Sequence, residues 1–203
     1  LRLAFFTALA TAVLGFLIGY VVVRNRGTLS SRALEMAAFL PYIFPAVAFG
    51  AIYIGMFSQS LGPIPALYGT FALLVLIATV KNLPYTSRTG IAAMLQIDKS
   101  LEESARVQGI GWFGRIRRIV APLAASGLVS GMLLSFIGTM RELSLIILLV
   151  TPSTAVLASV IYTYQTDDVP QLIGAATLLL VALVVGCNLL FRLVFRNTKM
   201  GFA

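Results

Sequence analysis

EESARVQGIGWFGRIRRIVAP, residues 102–122, sets Glu102, Glu103, Arg106, Arg115, Arg117 and Arg118 close together in a chain that is 59% hydrophobic and only 11% charged. Long apolar runs flank it on both sides. A soluble domain is ~45–50% apolar, so the composition points to a membrane protein in which this stretch is a polar interruption. The flanking runs approach or exceed the ~17–25 residues a helix needs to cross a bilayer. None shows the alternating ~10-residue segments of an outer-membrane barrel.

Working outward, the apolar runs predict an all-α polytopic transmembrane bundle of about five crossings and one bent or re-entrant hairpin, a single transmembrane domain over residues 1–203. The expected spans are 3–23, 33–57, 66–83, 119–140 and 172–194. Pro41 and Pro45 interrupt the second and are candidate hinge residues, with a plain kink the simpler reading. Lys81 and Pro84 close the third, whose helix can continue with a kink. LSLIILLV at 143–150 is too short to cross; with the residues that follow it reads as an outer-side hairpin over about 143–168. The polar segment 96–118 lies between the third and fourth spans.

A net charge of +8 would suggest nucleic acid in a soluble protein. Here the basic residues sit at the ends of apolar runs, where cytoplasmic enrichment in Lys and Arg accounts for them without nucleic acid. With 96–118 inside, the inner side holds Arg24, Arg26, Arg32, Lys81, Arg88, Lys99, Arg106, Arg115, Arg117, Arg118, Arg192, Arg196 and Lys199, leaving Arg2 and Arg141 of the 15. That bias places the N-terminus of this segment outside and its C-terminus in the cytoplasm.

Locally, 100–118 reads as helix, turn, helix. Ser100 to Glu103 fits a capping box, Arg106 follows both glutamates on one face, and Gly109 supplies the left-handed residue that ends helices. Ile110, Trp112, Phe113 and Ile116 add apolar surface beside Arg115, Arg117 and Arg118. Two readings stand at this point: an amphipathic loop on the lipid surface, or an element that docks a protein.

Glu103, Ala105, Gly109, then Ile119 and Pro122, resemble the EAA motif of binding-protein-dependent ABC importer permeases, of the type I importer fold. Ser104 and Ala121 depart from it, where alanine and leucine are expected. The resemblance implies that the segment is a coupling helix pair seated in a groove of a separate ATP-binding cassette subunit, and that the remaining spans form the translocation path. It also implies a periplasmic substrate-binding protein and a second permease half or subunit as partners, beside the lipid bilayer. No G-x-x-x-x-G-K-[ST] occurs, so no cofactor is expected in this chain; ATP and Mg belong on the partner ATPase.

KNLPYTSR at 81–88, MRELSLIILLVTP at 140–152 and TAVLASVIYTY at 154–164 are similar to iron(III) importer permeases, with related patterns in thiamine, phosphonate, sulfate and polyamine importers. In the iron(III) group two halves are usually fused. Leu1 already lies in apolar sequence without signal-peptide features, so this chain is expected to be the C-terminal half of such a fusion.

Arg141 and Glu142 are adjacent opposite charges at membrane depth and are candidate pathway or gate residues, with a structural bend the equal alternative. Tyr162, Tyr164, Asp167 and Asp168 carry oxygens suited to iron(III), but a periplasmic loop is polar in any case and no metal site is assigned. Gly15 with Gly19, and Gly127 with Gly131, space small residues for close helix packing. Cys187 is alone and histidine is absent, which leaves no disulfide, thiol cluster or obvious general base, and no enzymatic role. A secondary transporter driven by an ion gradient is the alternative of another class; it calls for paired charges in mirrored halves, and only Arg141 and Glu142 qualify.

Overall fold

A computed structural model describes residues 1–60 and 65–196. Residues 61–64 of the expected outer loop and Lys199 lie outside the described residues, as do the side chains of Arg192 and Arg196. The described helices are α1 (Arg2–Arg24), α2 (Leu29–Phe39), α3 (Ala46–Phe57), α4 (Phe71–Leu95), α5 (Lys99–Val107), α6 (Trp112–Arg115), α7 (Ala121–Met140), α8 (Leu157–Thr166) and α9 (Pro170–Arg196). No strand occurs among them.

Three helical stretches are long and apolar enough to cross a membrane: α1, Trp112–Met140 and the Pro170–Phe191 part of α9. Helices α2 and α3 pass that test only as a pair, a broken span or a re-entrant loop. The break follows from chemistry. Pro41 sits in the 3₁₀ turn Leu40–Tyr42, and Pro45, at φ −57 and ψ 135, is the N-cap of α3. Proline tolerates the first turn of a helix but not its interior.

Helix α4 does not pass by composition, although it is 25 residues long. It begins later than the span expected at 66–83 and continues through Pro84 to Leu95. Several polar residues after Val80 are absorbed: Asn82, Thr86 and Ser87 are buried, as is Pro84, while Tyr85 and Arg88 stay exposed. The Thr86 hydroxyl donates to the carbonyls of Asn82 and Leu83, and Ser87 Oγ to that of Pro84, at 3.1–3.4 Å. Hydroxyls folded back onto their own helix in this way satisfy themselves next to a proline-disturbed ladder.

The chain groups into two compact units, to which α1, α4 and α7 each contribute. The first contains Leu1–Thr7, Phe44–Val80 and the chain from Phe136 onward. Its core sets Leu3 against Leu73, Leu74 and Ile77 of α4 and against Leu145, Ile146 and Leu149, with Phe49, Tyr53 and Phe57 of α3 packed around them. The residues expected to begin the hairpin at 143 are thus not a helix but a buried set of turns. The chain then passes a 3₁₀ turn (Pro152–Thr154) into α8, turns at Asp168 (φ 53) and enters α9 at Pro170.

The second unit contains Ala8–Ile43 and Lys81–Ser135. Its core is Phe16, Ala93, Met94, Ile97, Val120 and Ala124, with a smaller cluster of Ile18, Val22 and Ala38. Small residues set the spacing. A Cβ on Gly15 would lie 2.5 Å from the Thr86 carbonyl oxygen, and one on Gly127 would lie 2.6 Å from Ala93 Cβ. Cβ atoms at Gly19 and Gly131 would collide with Gly90 and Thr89 of the same helix. Both glycine pairs therefore face α4, from α1 on one side and α7 on the other. Thr11, fully buried, donates to Ser135 Oγ at 3.0 Å and ties α1 to α7.

Candidate functional site

Between α4 and α7 the chain forms the helix-turn-helix the spacing predicts, within the second unit. Its first helix is capped two residues earlier than expected: Asp98, not Ser100, is the N-cap of α5, accepting from the Ser100 amide at 2.8 Å. The buried Ile97 anchors the residue before it, so the helix begins at Lys99. That amide bond, the Ser100 hydroxyl and nearby Arg24 hold the Asp98 carboxyl below the usual carboxylate range.

The end of α5 explains the spacing of alanine and glycine. Gly109 takes φ +78, its amide donates to Arg106 O at 3.0 Å, and the Ile110 amide donates to Ala105 O at 3.0 Å. These two bonds make a Schellman motif, in which the left-handed residue stands four positions after the one whose carbonyl closes the turn. Ala105 is buried at that closing position. A larger residue there would meet the core, and any residue but glycine at 109 would strain the backbone.

The second helix enters the membrane through an irregularity. Residues Ile116–Val120 form a π turn in which the Ala121 amide reaches back to Ile116 O. Pro122 has no N–H for the carbonyl of Arg118, so the ladder slips by one residue just ahead of it. Ile119 lies half-buried within this turn.

The two glutamates part company. Glu103 is exposed and, among the described residues, pairs with Lys99 Nζ at 3.3 Å, both side chains more than 60% in solvent. A pair so exposed contributes little. Glu102 is buried, and its carboxylate takes Arg24 Nε at 2.5 Å and Tyr20 Oη at 2.9 Å. Arg24 also donates through Nη1 to Ile97 O at 3.2 Å. Trp112 stacks edge-on against Tyr20. The helix-turn-helix is therefore bolted to the last turns of α1 by a buried ion pair, which the motif does not include. A clue lay in the sequence: Glu102 is three residues before Ala105 and shares its helix face, whereas Glu103 does not.

What remains outward is a compact knob. Val107 is 89% and Phe113 68% exposed, beside Glu103, Ser104 and Arg106. A cleft of about 200 Å³ opens next to it, lined by Arg24, Lys99, Glu102, Glu103, Arg106 and Arg115 among others.

The other residues singled out fall elsewhere. Arg141 and Glu142 follow the end of α7 in the first unit, where Glu142 Oε1 accepts from the Leu145 amide at 3.1 Å and caps the turns that follow. Pro41 and Pro45 make the break between α2 and α3 described above. Asp167 is the C-cap of α8 and Asp168 the left-handed residue of the turn, which gives both a local task. Among the described residues no group of three His, Cys, Asp or Glu could hold a metal ion.

The described residues thus form a helical bundle in which a capped, solvent-exposed helix-turn-helix joins α4 to α7. Residues 11–199 match the family described as binding-protein-dependent transport system inner membrane component, and the chain belongs to that family. It is 35% identical over 149 residues to a putative ferric transport system permease protein, FbpB 1, of Haemophilus influenzae, covering 72% of this chain and 22% of that protein. It is 30% identical over 195 residues to the ferric transport system permease protein FbpB of Actinobacillus pleuropneumoniae, covering 94% of this chain and 27% of that one. The chain thus spans about a quarter of the length of these relatives. A probable sulfate transport system permease protein, cysT, of Chlorella vulgaris is 26% identical over 206 residues, covering 97% and 75%. The fold is that of a chain in the MetNI methionine ABC transporter, with TM-score 0.77 at 19% identity, covering 97% of this chain and 91% of that one.

Proposed function

We propose that this chain forms part of the translocation path of an ATP-driven importer and receives its driving force through the α5–α6 knob from a separate ATPase subunit. The observation that carries this is the knob itself: a Schellman-closed turn with exposed Val107 and Phe113, held to α1 by Glu102 and Arg24. Apolar side chains projecting from a polar loop suit a protein groove better than water. ATP and Mg²⁺ bind on the partner, which leaves this chain without a catalytic role. A periplasmic binding protein delivers substrate from the far side, and a second permease half or subunit completes the path.

The mechanism is mechanical. ATP-driven closure of the motor displaces the knob; Glu102 and Arg24 pass the displacement to α1, and the glycine contacts pass it to α4 and α7 as one packed block. The knob is cytoplasmic and the α8–α9 turn external in this reading, as the bias of basic residues requires.

Iron(III) is the proposed cargo, supported by the two ferric relatives. Sulfate is the second reading, supported by the cysT relative, and thiamine, phosphonate and polyamine remain members of the same class. Within the described geometry Glu142 is a turn cap first, and Arg141 and Glu142 are proposed to fix the bend after α7 rather than to gate the path.

The test replaces Gly109 with Trp, or Glu103 with Lys, in the intact transporter. Insertion should persist while ATPase association and substrate uptake fall together. Unchanged association and uptake in an inserted variant would end the docking proposal. Uptake of labelled iron(III), competed by sulfate, thiamine, phosphonate and polyamine, separates the cargo readings.

A further inference from the structure

Away from the knob, the second unit carries a two-part groove where α1 leaves the apolar layer. One cavity, of about 470 Å³, is lined by Arg26, Ser31, Arg32, Glu35 and Arg88 together with Gly27 of the α1–α2 turn. A second, of about 530 Å³, shares Arg32, Glu35 and Arg88 and continues along Met36, Phe39, Leu40 and Ile43. Three guanidinium groups therefore face one carboxylate. Arg88 is engaged, with Nη1 2.7 Å from Glu35 Oε1 and its guanidinium 5.2 Å over the Phe39 ring. Arg26 and Arg32 are exposed and form no ion pair among the described residues.

The apolar half is equally unspent. Met36 is 73% and Ile43 69% exposed. Position matters as well: Arg26 lies two residues beyond the end of α1, whose Arg24 is tied to α5, so the cationic end sits at the level where the span meets water. A site with a cationic head at the interface and an apolar trough leading from it fits one kind of molecule.

We propose that this groove binds an anionic phospholipid, its phosphate between Arg26 and Arg32 and an acyl chain along Met36, Leu40 and Ile43. Guanidinium groups pair with phosphate through two parallel N–H donors, and basic pockets at the membrane surface select acidic head groups. Arg88, held in place by Glu35 and Phe39, forms the fixed wall of the head-group end. A zwitterionic lipid would bring its own cation against Arg32, so charge favours an acidic head group.

The test is native mass spectrometry of the intact permease after equilibration with vesicles of equimolar phosphatidylglycerol and phosphatidylcholine. Wild type should retain phosphatidylglycerol selectively. R26Q/R32Q should weaken that retention about thirtyfold, the equivalent of about 2 kcal/mol for two arginines. R117Q/R118Q, which removes two equally exposed charges elsewhere, should leave it intact. Met36→Asp should reduce retention with the arginines unchanged. The proposal is overturned if R26Q/R32Q retains the lipid as wild type does, if both vesicle lipids are held equally, or if Met36→Asp has no effect. Displacement of the lipid by excess inorganic phosphate would also overturn it, since that marks a bare anion site.

Discussion

Glu102 outweighs its neighbour Glu103 in placing the helix-turn-helix, because only Glu102 is buried against a fixed cation. Removing one partner of a buried pair costs about 3–5 kcal/mol, since the other is left charged and unpaired. Glu102→Gln should therefore lower the melting temperature of the purified protein by several degrees, while Glu103→Gln leaves it unchanged; equal effects would show that the pair bears no load. Gly109→Ala should cost about 1 kcal/mol, from the left-handed backbone alone, because a Cβ there meets nothing within 4 Å. Asn at 109 should recover part of that loss. At Asp98 the folded-state pKa lies below the unfolded value of 3.8. Its contribution is thus present above that value and fades as pH falls through the folded pKa. Intrinsic-rate-corrected amide exchange in α5 should speed up in that acidic window, and Asp98→Asn, which still caps, should remove the pH dependence. The turn at Gly109 was legible locally, because a glycine after a capped amphipathic stretch supplies the left-handed residue that ends a helix. The Arg24–Glu102 pair was not, since 78 residues separate its members and nothing local pairs them.

At the level of helices, the α1–α4–α7 contact depends on missing side chains more than on present ones. Gly90→Ala would drive a methyl into the Gly15 backbone, and overpacking of this kind costs about 1–3 kcal/mol. Gly186→Ala in α9 meets nothing within 4 Å and serves as the control. Thermal unfolding in detergent reads both, and equal losses would dissolve the seam as an energetic feature. Gly15, Gly19, Gly127 and Gly131 could be read as packing glycines from their spacing of four. Their partner could not, because Thr86, Thr89, Gly90 and Ala93 lie in a stretch whose polarity resembles a loop. The same polarity hid the true end of α4, eleven residues beyond Pro84. Burial of hydroxyls against their own helix, which no hydropathy window registers, is what keeps that stretch helical.

For the whole molecule, composition alone identified a helical membrane bundle; of the five expected spans three are single helices apolar enough to cross, a fourth is the broken α2–α3 pair, and α4 does not qualify by composition. The division into two compact units was not legible, since three helices run through both and no linker marks the change. Cargo was the least legible property, because residues that turn a chain, such as Asp167 and Asp168, look the same as residues that ligate. Orientation is open to direct measurement. In a Cys187→Ser background, Val107→Cys should react with a membrane-impermeant thiol reagent only from the cytoplasmic face, and Thr166→Cys only from the outer face; the reverse pattern would invert the proposed topology. Finally, α4 bears on how the protein is made. It is too polar in its second half to qualify as a membrane segment by itself, yet its polar face is covered by α1, already synthesised, and by α7, which emerges only later. A nascent chain halted before Ala121 should therefore leave α4 short of stable insertion, and its release into lipid must wait for the helix that shields it.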